Sequence, residues 1–196
     1  MSNQTDKDIL DENRLVSLLK QGNEEAFSTL VRRYSPRLFS IAYGITLDRE
    51  ESLDIAQDVF LKVHRHIKTF KGKAGLSTWL HRITVNQSLN WKRRCIRRLK
   101  WHHQPFEENQ TCNIEEHRSN TDNPETLYRK KELELLFKKG LKELPEDARV
   151  VFTLKEIEGL SYAEIAKVLK IKHGTVSSRL FYARKRLKEL IGQSPV

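Results

Sequence analysis

The chain has 196 residues, with 36 Lys and Arg against 26 Asp and Glu, a net charge of +10. No stretch approaches the ~20 consecutive apolar residues of a membrane span. The first residues, MSNQTDKDILDEN, show neither a basic start nor an apolar run. Two cysteines are too few for a disulfide framework. Membrane-embedded and disulfide-rich secreted classes are thereby excluded, and a reducing cytoplasm is the expected location. With only 8 Gly and 5 Pro, turn-makers are scarce, which points to helices joined by short connections.

The charge is segregated. Residues 12–100 hold 18 basic and 8 acidic side chains, residues 104–126 one basic and six acidic, and residues 127–196 16 basic and 9 acidic. Two basic modules therefore flank an acidic connector. Basic modules suit a polyanion such as nucleic acid, whose counterions are released on binding. Lys-rich solvated faces would satisfy charge alone equally well.

Four helical patterns are legible in the first module. Arg14–Gln21 is short. Asn23 is placed to cap the next helix, with Glu24 and Glu25 in its first turn, an apolar face from Phe27 to Ile45, and a kink expected at Pro36. Asp48 is placed to cap a third helix, expected to bury Leu53, Ala56, Val59, Phe60, Val63 and Ile67. Its outer face carries Asp54, Gln57, Asp58, Leu61 and Lys62, which reads either as an ordinary solvated face or as a dock for a partner with a basic helix. The fourth begins near Ser77, after Lys71-Gly72-Lys73-Ala74-Gly75, with Trp79, Leu80 and Ile83 inward. Asn86 and Asn90 fall within about 20° of Trp79 at 100° per residue. Such amides are satisfied by backbone groups or, beside a basic loop, read an extruded base. The run from Trp91 to Lys100 contains Lys92, Arg93 and Arg94 among six basic residues and no acid, a phosphate-binding stripe.

A linker spans 99–126, rich in Asn, Glu and Thr and ending in Asp-Asn-Pro. The second module, 127–191, starts with a helix through Leu133, Leu136, Phe137 and Leu141. Pro145 suits the first turn of the next, with Val150, Val151 and Leu154 inward. Gly159-Leu160 breaks the chain, and Ser161 with Glu164 forms an S-x-x-E capping box. Ile171 to Gly174 is the expected turn, and Thr175 starts a last helix with Val176, Leu180, Ala183, Leu187 and Ile191 inward. Short helix, tight turn and longer basic helix make a helix-turn-helix, with Ala166 small where the two cross. Ser177, Ser178, Phe181 and Lys185 point outward, where the Phe can meet a thymine methyl. The expected fold is all-α: two small helical domains joined by a flexible acidic linker, the second a helix-turn-helix domain.

The stretches DIAQDVFLKVHRHIKTFKGKAGLSTWLHRITVN and LPEDARVVFTLKEIEGLSYAEIAKVLKIKHGTVSSRLFYARKRL, in this order, resemble the bacterial sigma-70 family of RNA polymerase sigma factors, extracytoplasmic-function (ECF) group. The resemblance implies a transcription initiation factor that binds core RNA polymerase and directs it to promoters. It makes residues 12–98 region 2 and 127–191 region 4. Asp54, Gln57, Asp58, Leu61 and Lys62 would dock on the β′ clamp helices, with β a further contact. Phe70, Lys71, Lys73, Leu76, Asn86 and Asn90 would take the −10 element and its flipped base, and Lys92, Arg93 and Arg94 its phosphates. Lys155, Thr175, Ser177, Ser178, Arg179, Phe181, Tyr182 and Arg184 would meet the −35 element, Arg179 and Arg184 at phosphates. Ser177 stands where many relatives carry a long basic side chain, so no −35 sequence carries over. Promoter DNA and an anti-sigma factor are the other implied partners. No catalytic residue, metal or cofactor is required, and the two modules would be only weakly oriented until polymerase fixes their separation.

Two rivals differ in class. A helix-turn-helix repressor would bind duplex DNA alone, usually as a dimer, and no dimerising heptad is visible. A metal site would use Cys95, His102, His103, Cys112 and His117, whose spacing matches no standard zinc pattern.

Overall fold

A computed structural model describes residues 12–101 and 135–192. Most of the expected linker lies outside them, as do Leu133, His102, His103, Cys112 and His117. Every described element is a helix or turn.

The first bundle comprises α1 (12–20), α2 (Glu24–Thr46), α3 (Arg49–His66) and α4 (Leu76–Trp101). Asn23 and Asp48 cap as their side chains suggest, accepting from Ala26 N and Glu51 N at 2.8 and 3.1 Å. Pro36 lies inside α2 without ending it. Pro36 and Arg32, whose carbonyl it leaves free, are both exposed, so water can satisfy that group. Glu12 ties the bundle's ends together: its carboxylate accepts from Ser77 N at 3.0 Å, at the start of α4, and from Tyr34 Oη at 3.4 Å. Desolvation and the Glu12 charge push the Tyr34 hydroxyl up to about 12, so it stays a donor.

The buried stripe of α3 is Ser52, Ile55, Ala56, Val59, Phe60 and Val63, a 3–4 spacing that leaves Leu53 47% exposed. The expectation of a buried Leu53 is therefore corrected. A serine holds that register instead, because its hydroxyl donates to Asp48 O and shares a hydrogen bond with Thr46 Oγ1.

The second bundle comprises α5 (135–143), α6 (Glu146–Phe152), which widens into a π turn over Thr153–Ile157, α7 (Tyr162–Leu169) and α8 (His173–Gly192). The capping box is formed: Ser161 N donates to Glu164 Oε2 at 2.7 Å and Glu164 N to Ser161 Oγ at 3.3 Å. The Ser161 hydroxyl, which also donates to Glu164 Oε2 at 2.7 Å, and then the Ser161 N–H hold the Glu164 carboxyl below its usual range. Gly159 supplies the positive φ of +70° between the π turn and α7. The helix-turn-helix turn departs from expectation. Its left-handed residue is Lys170, φ 56°, while His173 and Gly174 already belong to α8. Pro145 sits one place earlier than expected, at the cap position of α6. On α5, Leu141 is buried while Phe137 is 43% exposed.

The bundles are not independent. One apolar cluster joins Ile41 and Ile45 of α2 and Val85 of α4 to Leu144, Val151, Leu154, Ile165 and Leu180 of the second bundle. A separate cluster around Leu30, Leu38, Val59, Val63 and Leu80 belongs to the first bundle alone. Weakly oriented modules were expected; the structure shows two that share a core.

Candidate nucleic-acid interface

The outer face of α8 presents what the helix-turn-helix pattern implies. Val176, Leu180 and Ala183 are wholly buried, which turns Ser177, Ser178, Phe181 and Tyr182 to solvent, with Phe181 71% and Tyr182 48% exposed. A large aromatic ring left this bare on a helix whose other face is buried fits a binding surface better than a folding role. Thr175 is half-buried, and its carbonyl accepts from Ser178 Oγ at 3.1 Å. The two arginines are already engaged: Arg179 pairs with Asp147, and Arg184 Nε donates to Glu156 at 3.0 Å. Lys155 serves the π turn, donating to Leu160 O at 3.2 Å with its ammonium 5.7 Å from the Tyr162 ring centre.

On the first bundle, Asp54, Gln57, Asp58, Leu61 and Lys62 all lie exposed on α3, with Leu61 at 54%. Leu53 extends this face with a second bare apolar side chain. Sequence reading missed it, although it lies one turn before Gln57.

The residues expected at the −10 element are spread from the loop before α4 along that helix rather than gathered. Phe70 is half-buried with its ring 5.0 Å from that of Trp79, and Lys71 and Lys73 are exposed. Leu76 is 1% exposed and part of the core. Its side chain anchors the first turn of α4 and cannot touch DNA as placed, which corrects its inclusion. Asn86 and Asn90 are exposed, about 15 and 21 Å of helix rise beyond Leu76. Arg93 and Arg94 are exposed, whereas Lys92 is half-buried. Burial and the nearby Arg149 charge lower the Lys92 ammonium.

Asn86 also lines a cavity of about 410 Å³ between the bundles, together with Arg82, Leu89, Asp147, Lys170 and Arg179. Sequence reading assigned no role to Arg82 or to Arg149, the other arginine at this junction. Arg149 is only 5% exposed. It donates to Ile45 O at 3.3 Å, Lys142 O at 2.8 Å and Leu144 O at 3.1 Å. Its neighbours Ala148, Val150 and Val151 are all buried, and an arginine inside such a run was the available signal.

A capped helix-turn-helix with a bare aromatic on its second helix, joined to a bundle whose longest helix ends in a basic run, defines a helical DNA-binding protein. Residues 30–98 match the family model of Sigma-70 region 2, and residues 135–187 that of Sigma-70, region 4. The ECF RNA polymerase sigma-E factor of Haemophilus influenzae is 34% identical over 182 residues, 93% of this chain and 96% of that one. The RNA polymerase sigma-H factor of Pseudomonas aeruginosa is 32% identical over 91% of this chain and 92% of its own. Among solved structures, CnrH in complex with the cytosolic domain of CnrY superposes with a TM-score of 0.67 at 23% identity, covering 94% of this chain and 99% of that one. RpoE in complex with the anti-sigma factor NepR from Bartonella quintana gives 0.67 at 24% identity, covering 86% and 98%. The chain belongs to the sigma-70 family, ECF group. It is a promoter-specific transcription initiation factor.

Proposed function

We propose that this chain binds core RNA polymerase through α3 and reads a promoter with both bundles, as a subunit that performs no chemistry of its own in the cytoplasm. The domain limits are 12–98 for region 2, 99–126 for the linker and 127–191 for region 4. Asp54, Gln57, Asp58, Leu61 and Lys62 face the β′ clamp helices, and β supplies a further contact. Phe70, Lys71, Lys73, Asn86 and Asn90 take the −10 element, and Lys92, Arg93 and Arg94 its phosphates. On α8, Ser177, Ser178, Phe181 and Tyr182 meet the −35 element. Lys155, Thr175, Arg179 and Arg184 join them after Arg179 and Arg184 leave their carboxylate partners, an exchange of one anion for another.

The observation that carries this reading is the outer face of α8, where Phe181 stands 71% exposed between hydroxyls on a helix whose opposite face is fully buried. Trapping an unstacked base offsets part of the few kcal/mol that unpairing costs. An anti-sigma partner belongs to the same proposal, since RpoE of Bartonella quintana was solved with one. Run-off transcription from a genomic library, with core polymerase and with or without this chain, tests the whole. New start sites that share two spaced motifs are expected; unchanged initiation would refute it.

A further inference from the structure

Arginines at the junction of the bundles and arginines on α8 meet different partners. Arg82 donates through Nε to Val168 O at 3.2 Å and through a terminal nitrogen to Lys167 O, and Arg149 serves three carbonyls. The arginines of α8 face carboxylates instead. Arg179 pairs with Asp147. Arg184 donates through Nε at 3.0 Å and through Nη2 to the same Glu156 oxygen. Arg186 lies further off, 3.8 Å from Glu143 and 3.7 Å from Glu189.

The first two pairs sit where a duplex would be gripped. Buried Val176, Leu180, Ala183 and Leu187 mark the inner side of α8. A turn of 100° per residue then puts Arg179 and Arg184 about 110° to either side of the outward direction. Ser177, Ser178, Phe181 and Tyr182 lie between them. A helix seated in the major groove has a phosphate backbone along each edge, and each edge here already holds an anion. Asp147 lies in the first turn of α6 and Glu156 in the π turn that follows it. One segment, packed on α8 through Val150, Val151 and Leu154, thus supplies an acid to both edges. Both pairs reach water, with the side chains of Asp147 64% and Arg184 53% exposed, so a phosphate can displace the carboxylate.

We propose that Asp147 and Glu156 are stand-ins for two DNA phosphates and limit how tightly the outer face of α8 holds a duplex. The proposal rests on the DNA-reading role given to α8 above. Each arginine gives up a carboxylate before it meets a phosphate, and the freed carboxylate is left beside the DNA backbone. Both effects oppose binding. They act equally on every sequence, because phosphate contacts carry no sequence information. The acids therefore weaken the attraction that fixes a polycation to arbitrary DNA. Base contacts by Phe181 and its neighbours are untouched, so a larger share of the remaining affinity depends on sequence.

The test uses the full chain and a short labelled duplex of arbitrary sequence, with affinity read by anisotropy at physiological salt, where distant charges are screened. Glu156→Gln and Asp147→Asn keep the shape of each side chain, and a circular-dichroism melt establishes that each variant is folded. Each should tighten binding about threefold, and the double variant about tenfold. Arg184→Gln should weaken binding, and in that background the gain from Glu156→Gln should be largely lost. A gain of equal size with and without Arg184 is general charge repulsion and overturns the stand-in role. A double variant no tighter than the wild type, or one that binds no duplex at all, overturns it as well. Failure of the reading of α8 looks different: Arg184→Gln then binds as well as the wild type. Weakened binding by Arg184→Gln beside no gain from Glu156→Gln strikes the stand-in alone.

Discussion

In the function proposed here, Phe181 and Asn86 serve two separate tasks, −35 reading and promoter opening. Phe181 is bare, so Phe181→Ala should leave the melting temperature unchanged. It should weaken −35-dependent promoter binding about tenfold, near the low end of what one lost base contact costs. Asn86→Ala should slow promoter opening, followed by permanganate footprinting, more than it weakens binding to closed duplex. Equal effects of both substitutions on both steps would contradict the division of labour. His81 offers a third test. It is 3% exposed, and desolvation, helped by Arg37 and opposed by Glu164, lowers its pKa from 6.5 to about 4. The folded state therefore holds a neutral imidazole, and the unfolded state binds the extra proton as pH falls. Its contribution is complete above pH 6.5 and is lost progressively towards pH 4. By pH 5 that amounts to about 2 kcal/mol at 1.36 kcal/mol per unit. Urea unfolding at pH 7 and pH 5 should show this loss in the wild type, with a correspondingly smaller loss in His81→Leu.

Single helices carry the next layer of stability, and their ends are the most readable part of it. Ser161 both accepts from Glu164 N and donates to its carboxylate, so Ser161→Ala should destabilise the second bundle by about 1 kcal/mol. A melt with no measurable shift would mean that packing of Ile165 and Val168 alone fixes α7. The caps at Asn23, Asp48 and Ser161 were all legible, because a cap is a local bond between a side chain and a backbone group three residues on. Faces were legible less completely. On α3 a one-residue error placed Leu53 inside, where Ser52 lies, because hydrophobicity outweighed register and the serine's bonds to Thr46 and Asp48 cannot be seen in a wheel. Leu76 was misplaced for the opposite reason: it belongs to a Gly-rich loop in sequence and to the first turn of α4 in space.

The molecule as a whole is a polycation whose charge is placed with care. Arg93 and Arg94 lie exposed on α4, within the Trp91–Lys100 run that holds no acid. If both contact phosphates, their replacement by alanine should reduce the slope of log affinity against log salt by about 2, whatever the DNA sequence. An unchanged slope would remove them from the interface. The same charge pattern sets Lys92 of α4 and Arg149 of α6 in mutual repulsion. It also explains why arginines at the junction are spent on main-chain carbonyls, which carry partial negative charge without adding an acid.

Local chemistry was enough, from the sequence, for the all-α class, the two basic modules, the caps, the helix-turn-helix and the outward residues of α3 and α8. Each of these depends on neighbours within about four positions, the reach of a helical turn. What only tertiary structure decided is which apolar face covers which. Ile41 and Ile45 read as core residues of the first bundle, and they are core, but much of what covers them comes from more than fifty residues away in the chain. Hydrophobic burial is non-directional, so periodicity reveals that a side chain is hidden and not by whom. The places of Arg82 and Arg149 at the junction follow from that choice of partner, and they became visible only once the two bundles met.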